Sequence, residues 1–217
     1  MEESERYIPA LSFNRLTPLF DPVIRWSMRE LELKRRLIKQ ARIEPDHRVL
    51  DLGCGTATLT ILIKQTHPTA DVVGLDGDRQ ILARAEAKAE KAGVNLTLDH
   101  GLAFELPYPD QSVDRVVSSL VIHHLTTENK RRTFKEIYRV LQPGGELHIL
   151  DFGQPDNLYT SITAILIRRL EEAADNVQGL LPEMMREAGF EQVGVNPCFT
   201  ALFGPLALYR AWRPARD

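Results

Sequence analysis

Cysteine is scarce: the 217 residues hold two, Cys54 and Cys198. That excludes a disulfide framework. Neither cysteine belongs to a CxxC or a Cys/His ligand pattern, so no metal site is expected, and the several cysteines that would bind arsenite are missing. An excess of charge of one sign is also missing, since 27 Lys and Arg face 30 Asp and Glu for a formal charge of −3. Such a balance excludes an overall nucleic-acid footprint. The basic cluster RELELKRRLIKQAR (29–42) alternates with glutamates and leucines at helical spacing and reads as a solvated helix face. No apolar run approaches the ~18 residues that a spanning helix needs. The opening MEESERYIPA has no basic-then-apolar order of a signal peptide. A cytoplasmic protein in a reducing compartment is expected, without an integral membrane segment. Repeats and low-complexity stretches are absent too.

Apolar residues make up 43% and charged residues 26%, the proportions of an ordinary globular chain long enough to bury one core. After residue 47, strand and helix patterns alternate. VVGLD (72–76), RVVSSLV (115–121) and ELHILDF (146–152) read as buried strands, with LTLDH (96–100) a shorter one. Helices are predicted over Thr58–Gln65, over Asp78–Ala92 with a stop at Gly93, and over Lys130–Leu141 with a stop at Pro143-Gly144-Gly145. Repeated strand–helix–strand units imply an α/β fold, a doubly wound, mainly parallel sheet. The tail, VGVNPCFTAL and LALYRAW around Gly204-Pro205, predicts an antiparallel C-terminal hairpin at a sheet edge. Residues 1–43 carry FNRLTPLFDPVIRW and read as an N-terminal helical lid broken by Pro18 and Pro22. One domain is expected, with this lid, a cofactor-binding core over 44–152, and substrate-side helices and hairpin over 153–217. The helices predicted in that last part are Asn157–Asp175 and Leu180–Ala188, with a stop at Gly189.

The densest signal is VLDLGCGTAT (49–58), an apolar strand that runs into Asp51 and a glycine turn opening a helix. Gly53 and Gly55 allow the backbone unusual φ values and close approach to a ligand. A dinucleotide fingerprint would need a third glycine where Thr58 stands. A carboxylate at Asp51 would repel phosphates but attract a cationic ligand, which points to a sulfonium-bearing amino acid.

With these motifs in order, the chain resembles class I S-adenosylmethionine-dependent methyltransferases over roughly residues 45–152. The resemblance implies a Rossmann-like sheet and S-adenosyl-L-methionine as cofactor. It also implies that Asp51 and the backbone of Gly53, Cys54 and Gly55 hold the methionine portion. Asp76, in VVGLDGD, stands 25 residues after Asp51 where the family's acid accepts both ribose hydroxyls, with Gly77 beside it. LPYPDQSVDRVVSSLVIHHL, containing Ser119, and YRVLQPGGELHILDF are similar to the family's fourth strand and the turn before its fifth. Two departures stand out. Ala57 replaces the loop's last glycine, and HGLAFELP puts Leu102 where the family has an adenine-binding acid. Adenine is then expected against Leu102 and Ala103, with Asp99 a substitute acceptor. The lid and the LPYPD segment are similar to the ubiquinone and menaquinone biosynthesis group.

His123 and His124 follow the fourth strand at its ligand edge, and Asp151 ends the fifth. All three are candidate bases. Set against this, such groups often only pack and hydrogen-bond. Cys54 reads as a loop filler, and Tyr209 is left unassigned. The expected activity is methyl transfer to a small, partly apolar acceptor by direct in-line displacement. The alternatives are a non-catalytic cofactor-binding module and a nicotinamide-dependent oxidoreductase.

Overall fold

In the computed structural model, residues 30–155, 173–201 and 204–215 are described, with 197–201 and 204 by backbone alone. The segment FNRLTPLFDPVIRW and nearly all of the helix expected over 157–175 lie outside them. Helix α1 (Glu30–Ala41) is amphipathic, as its leucine spacing predicts: Leu33, Leu37, Ile38 and Ala41 are buried, while Arg35 and Arg36 face solvent. The region from Glu30 onward thus packs on the sheet as core, although it falls within the expected 1–43 lid.

Strands β1 (Arg48–Leu52), β2 (Asp71–Asp76), β3 (Thr97–His100) and β4 (Val113–Ser119) are parallel. Helices α2 (Thr58–Thr66) and α3 (Arg79–Lys91) connect the first three. Asp78 caps α3 by accepting from the amides of Gln80 and Ile81, so the helix expected from 78 starts one residue later. A single 3₁₀ turn (Ile122–His124) follows β4 and leads to α4 (Thr127–Val140). This helix begins three residues before the predicted Lys130, because Thr126 caps it through the Asn129 amide.

The Pro143-Gly144-Gly145 turn does not lie after a helix end in open loop. It is looped out within β5 (Leu141–Phe152): the partners of β4 jump from Leu141 to Glu146, with Gly144 at φ 83°. The helix stops at Val140 because Arg213 donates from Nη1 to the carbonyls of Tyr138, Arg139 and Leu141, which have no partner inside the helix. Short helices α5 (Ala174–Gln178) and α6 (Leu181–Glu187) precede β6 (Glu191–Ala201) and β7 (Gly204–Trp212).

The sheet order is β3-β2-β1-β4-β5-β7-β6. The C-terminal hairpin is therefore antiparallel, as predicted, and β7 inserts between β5 and β6. One sheet face is covered by α4 and α6 through Phe134, Ile137 and Met184, and the other by α1 and α2 through Leu37 and Ile63. Strand order reverses between β1 and β4, where the crevice of an open α/β sheet lies. Asp51, Asp76, Ser119 and Asp151 all stand at this carboxyl edge.

Gly53 has φ 69°, and a Cβ there would fall 2.4 Å from a methyl carbon of Val121. Both the left-handed backbone and the absent side chain are required. We expect Gly53→Ala to cost about 2–4 kcal/mol in urea denaturation, from strain plus overpacking. Ala57→Gly, at a residue already left-handed (φ 58°) but fully buried, should stay within about 1 kcal/mol of the parent, since relieved strain offsets a lost methyl.

Candidate active site

Asp51 lies near the end of β1, fully buried, because β1 is central and flanked by β2 and β4. The Thr60 hydroxyl, on the first turn of α2, donates to its Oδ2 at 2.6 Å. Burial pushes the Asp51 carboxyl up to about 6. The Thr60 bond and the charge of Lys34 oppose the shift, and Asp76 adds to it. Lys34 is on α1 and pairs with Glu30 one turn earlier.

The loop after β1 is tied to β2: the amides of Gly53 and Cys54 both donate to Leu75 O, at 2.8 and 2.9 Å. Gly55 has φ 55°, and a Cβ built there meets nothing within 4 Å. Its amide donates to Asp76 Oδ2 at 2.8 Å, while Asp78 N–H donates to Oδ1 at 3.0 Å. Burial raises the Asp76 carboxyl, with these amides opposing. A carboxylate offers about four lone-pair sites, so acceptor capacity remains for a diol. Cys54 is buried, and its Sγ lies 3.0 Å from where a Gly74 Cβ would be. Burial pushes its thiol well above the ordinary range and keeps it protonated, so it fills the loop. Gly77 O lies 3.2 Å from His100 Nε2.

Leu102 and Ala103 stand in the loop after β3, which folds back onto Asp76: Gly101 N–H donates to Asp76 O at 3.1 Å, and Leu102 pairs with Glu105. Arg139 braces this loop from α4 through the carbonyls of Leu106 and Tyr108. Asp99 Oδ2 already accepts from the Tyr108 hydroxyl at 2.9 Å.

At the other side, Leu120 takes φ 60°, a left-handed turn uncommon for a bulky residue. It swings the amides of Val121 and Ile122 onto Asp151 Oδ2, at 3.2 and 2.9 Å. Oδ1 of the same carboxylate lies 2.7 Å from His123 Nδ1 and accepts from Phe152 N–H and from Asn176 Nδ2. Burial alone would raise the Asp151 carboxyl, but the charge of His123 and these bonds outweigh it and hold it below the ordinary value. His123 is buried, with its ring 4.0 Å from that of His124 and edge-on to Phe152. Tyr209 Oη donates to Phe152 O at 2.7 Å; burial, then the charge of Asp151, keeps the phenol protonated. Ser119 Oγ, at the end of β4, is buried without a hydrogen-bond partner.

The crevice thus brings Asp51, Gly53, Cys54, Gly55, Asp76, Gly77, Leu102 and Ala103 to one side, and Ser119, His123, His124 and Asp151 to the other. Sequence reasoning missed Leu120 and Asn176. Only tertiary contact gives them meaning. The open space at Gly55, the spare acceptors of Asp76 and the orphaned Ser119 hydroxyl fit a ligand with a diol and a polar chain.

Residues 49–145 match the family described as Methyltransferase domain. Over 209 residues the chain is 30% identical to a demethylmenaquinone methyltransferase of Anoxybacillus flavithermus, covering 86% of each. The chain belongs to the class I S-adenosylmethionine-dependent methyltransferases. Within this family it is of the menaquinone and ubiquinone type. The fold is shared with the S-adenosylmethionine-dependent methyltransferase SibL, at TM-score 0.69 and 21% identity over 95% of this chain and 60% of that one. It is also shared with the [4+2]-cyclase SpnF, at 0.69 and 18% over 85% and 81%. The protein is an enzyme that transfers a methyl group from S-adenosylmethionine to a small molecule, and neither alternative reading is favoured. Among the described residues no helix is long and apolar enough to cross a membrane.

The raised Asp51 carboxyl has a consequence for stability. Between its ordinary value and about 6 the folded methyltransferase binds a proton that the unfolded chain releases, so stability falls as pH rises through that window. The loss approaches about 3 kcal/mol above pH ~6. Denaturation at pH 4.5 and 7.5 should show this fall in the parent and a smaller one in Asp51→Asn.

Proposed function

We propose that the crevice between β1 and β4 holds S-adenosylmethionine along its β1–β2 side and the methyl acceptor along its β4–β5 side. On this reading residues 1–217 act as one methyltransferase domain. Asp51 faces the methionine ammonium and sulfonium, whose charges favour the ionised carboxylate. The open cradle at Gly55, with Gly53 and Cys54 beside it, admits the methionine portion. Asp76 accepts from the ribose hydroxyls with its unused lone pairs, Gly77 leaves room beside it, and Leu102 and Ala103 pack against adenine. Ser119 offers its unpartnered hydroxyl between the two halves. When bound, the cofactor supplies an already activated methyl group. The chain has only to align the acceptor, exclude water and remove a proton.

The observation that carries this reading is the buried His123–Asp151 pair at the acceptor edge. Asp151 accepts five hydrogen bonds and is held ionised, so it orients the imidazole and is not itself the base. His123, held at Nδ1, receives the acceptor's proton at Nε2, and His124 shapes the approach. The acceptor is accordingly a small, partly apolar molecule with an ionisable O–H or C–H. The demethylmenaquinone of the relatives' names is one of its kind. Among the described parts, the hydrophobic wall comes from Phe152, Leu120 and Val121.

Label transfer from methyl-labelled S-adenosylmethionine into a metabolite extract tests turnover and identifies the acceptor. We expect His123→Gln to retain S-adenosylhomocysteine affinity within about twofold and to lower the single-turnover rate by ~100-fold or more. Unchanged transfer would remove His123 as the base. Asp76→Ala should leave the fold intact and weaken S-adenosylhomocysteine about tenfold or more in calorimetry, from ~1–3 kcal/mol of lost hydrogen bonding. Affinity for the cationic cofactor should rise with pH through about 6 in the parent, as Asp51 ionises, and stay flat in Asp51→Asn.

A further inference from the structure

Asn176 lies in α5, fully buried, and the two ends of its amide are treated differently. Nδ2 donates to Asp151 Oδ1 at 3.1 Å. Oδ1 is buried with no hydrogen-bond partner. A half-satisfied buried amide is a liability for stability, since an orphaned carbonyl forfeits its hydration while an apolar side chain of similar size would not. Its donated bond helps satisfy the buried carboxylate, but four other partners already do so, and fold stability alone does not account for an amide whose carbonyl is left orphaned. Its one bond goes to the same carboxylate oxygen that contacts His123 Nδ1.

We propose that Asn176 is a positioning residue for His123, acting through Asp151: it fixes the shared carboxylate oxygen and tempers how strongly that oxygen holds the imidazolium. The inference rests on the reading of His123 as the acceptor-side base. Every donor on Asp151 Oδ1 drains negative charge from the atom facing His123. With Asn176 and Phe152 N–H in place, the carboxylate orients the ring through Nδ1–H and leaves Nε2 as the proton-accepting nitrogen, without locking the imidazole in its charged form. Among the described residues, the other ionisable groups around the pair are His124 on the same turn, Tyr209 on β7, and the buried Lys130 of α4. Lys130 pairs with Asp175, the neighbour of Asn176, at 3.0 Å, and Thr127 donates to the same Asp175 oxygen at 2.8 Å. This ion pair anchors α5 to α4 and so fixes where the Asn176 amide reaches Asp151.

The test is ¹⁵N NMR of the histidine-labelled full chain, which needs neither acceptor nor cofactor. In the parent, the neutral form of His123 should carry its proton on Nδ1. In Asn176→Ala the His123 titration midpoint should move upward by about half a pH unit or more, because Asp151 regains charge toward the ring. An unchanged or lowered midpoint overturns the proposal. So does a parent spectrum with the proton on Nε2, a result that stands even if the variant fails to fold. The reading of His123 as base is judged separately by label transfer with His123→Gln, so either can fail alone.

Discussion

The carboxylate of Asp151 is the constraint around which the β4–β5 side of the crevice is built. It is fully buried at the end of β5, and it collects two amides from the turn after β4, the imidazole of His123, its neighbour's amide and the side chain of Asn176. An ion taken out of water is tolerated only when its lone pairs are satisfied, and here three separate segments contribute donors. Because the donors come from the turn after β4, from β5 and from α5, the same charge that would be costly alone sets their relative positions. The left-handed Leu120 fits this picture: its local strain is what directs two successive amides onto one oxygen.

The β1–β2 side depends on a different device. Three residues of the loop after β1, Gly53, Gly55 and Ala57, are left-handed, and the loop is held by Leu75 O, by the Asp76 carboxylate and, at the Thr56 hydroxyl, by Lys88 Nζ at 3.1 Å. Gly53 must lack a side chain because Val121 fills its space. At Gly55 the surroundings are the opposite, since a Cβ there would meet nothing within 4 Å. The contact between Gly53 and Val121 also joins the two sides, since Val121 belongs to the turn that carries His123.

Charge placement then separates the tasks of two similar acids. Asp51 and Asp151 are both fully buried strand-end carboxylates, yet burial raises the first to about 6 and the partners of the second hold it low. Asp51 has one side-chain donor, Thr60, and stands ready to gain from a cation. Asp151 already has its oxygens engaged by five partners, and on the proposed reading it orients the imidazole. The same fold, shared with a cyclase at TM-score 0.69, shows why such details and not the sheet alone must carry a functional reading.

The sequence by itself determined the alternation of strands and helices, the glycine turn, the acids at the ends of β1 and β2 and the closing hairpin. These are local: apolar periodicity, a cap or a glycine is legible within a few residues, and four motifs in order name the family. It also placed His123, His124 and Asp151 at the crevice edge, because a strand end in a parallel sheet has a fixed polarity. What it could not decide was which acid is spent and which is spare. That Asp151 is saturated while Asp76 keeps free lone pairs follows from donors 25 to 30 positions away in the chain, such as Asn176 and Val121. The looped-out Pro143–Gly145 was likewise settled by Arg213, about 70 positions on in the chain, which exchanges backbone hydrogen bonds with Gly144 and Gly145. Hydrogen bonding between distant segments has no periodicity to read, so only the folded chain discloses it.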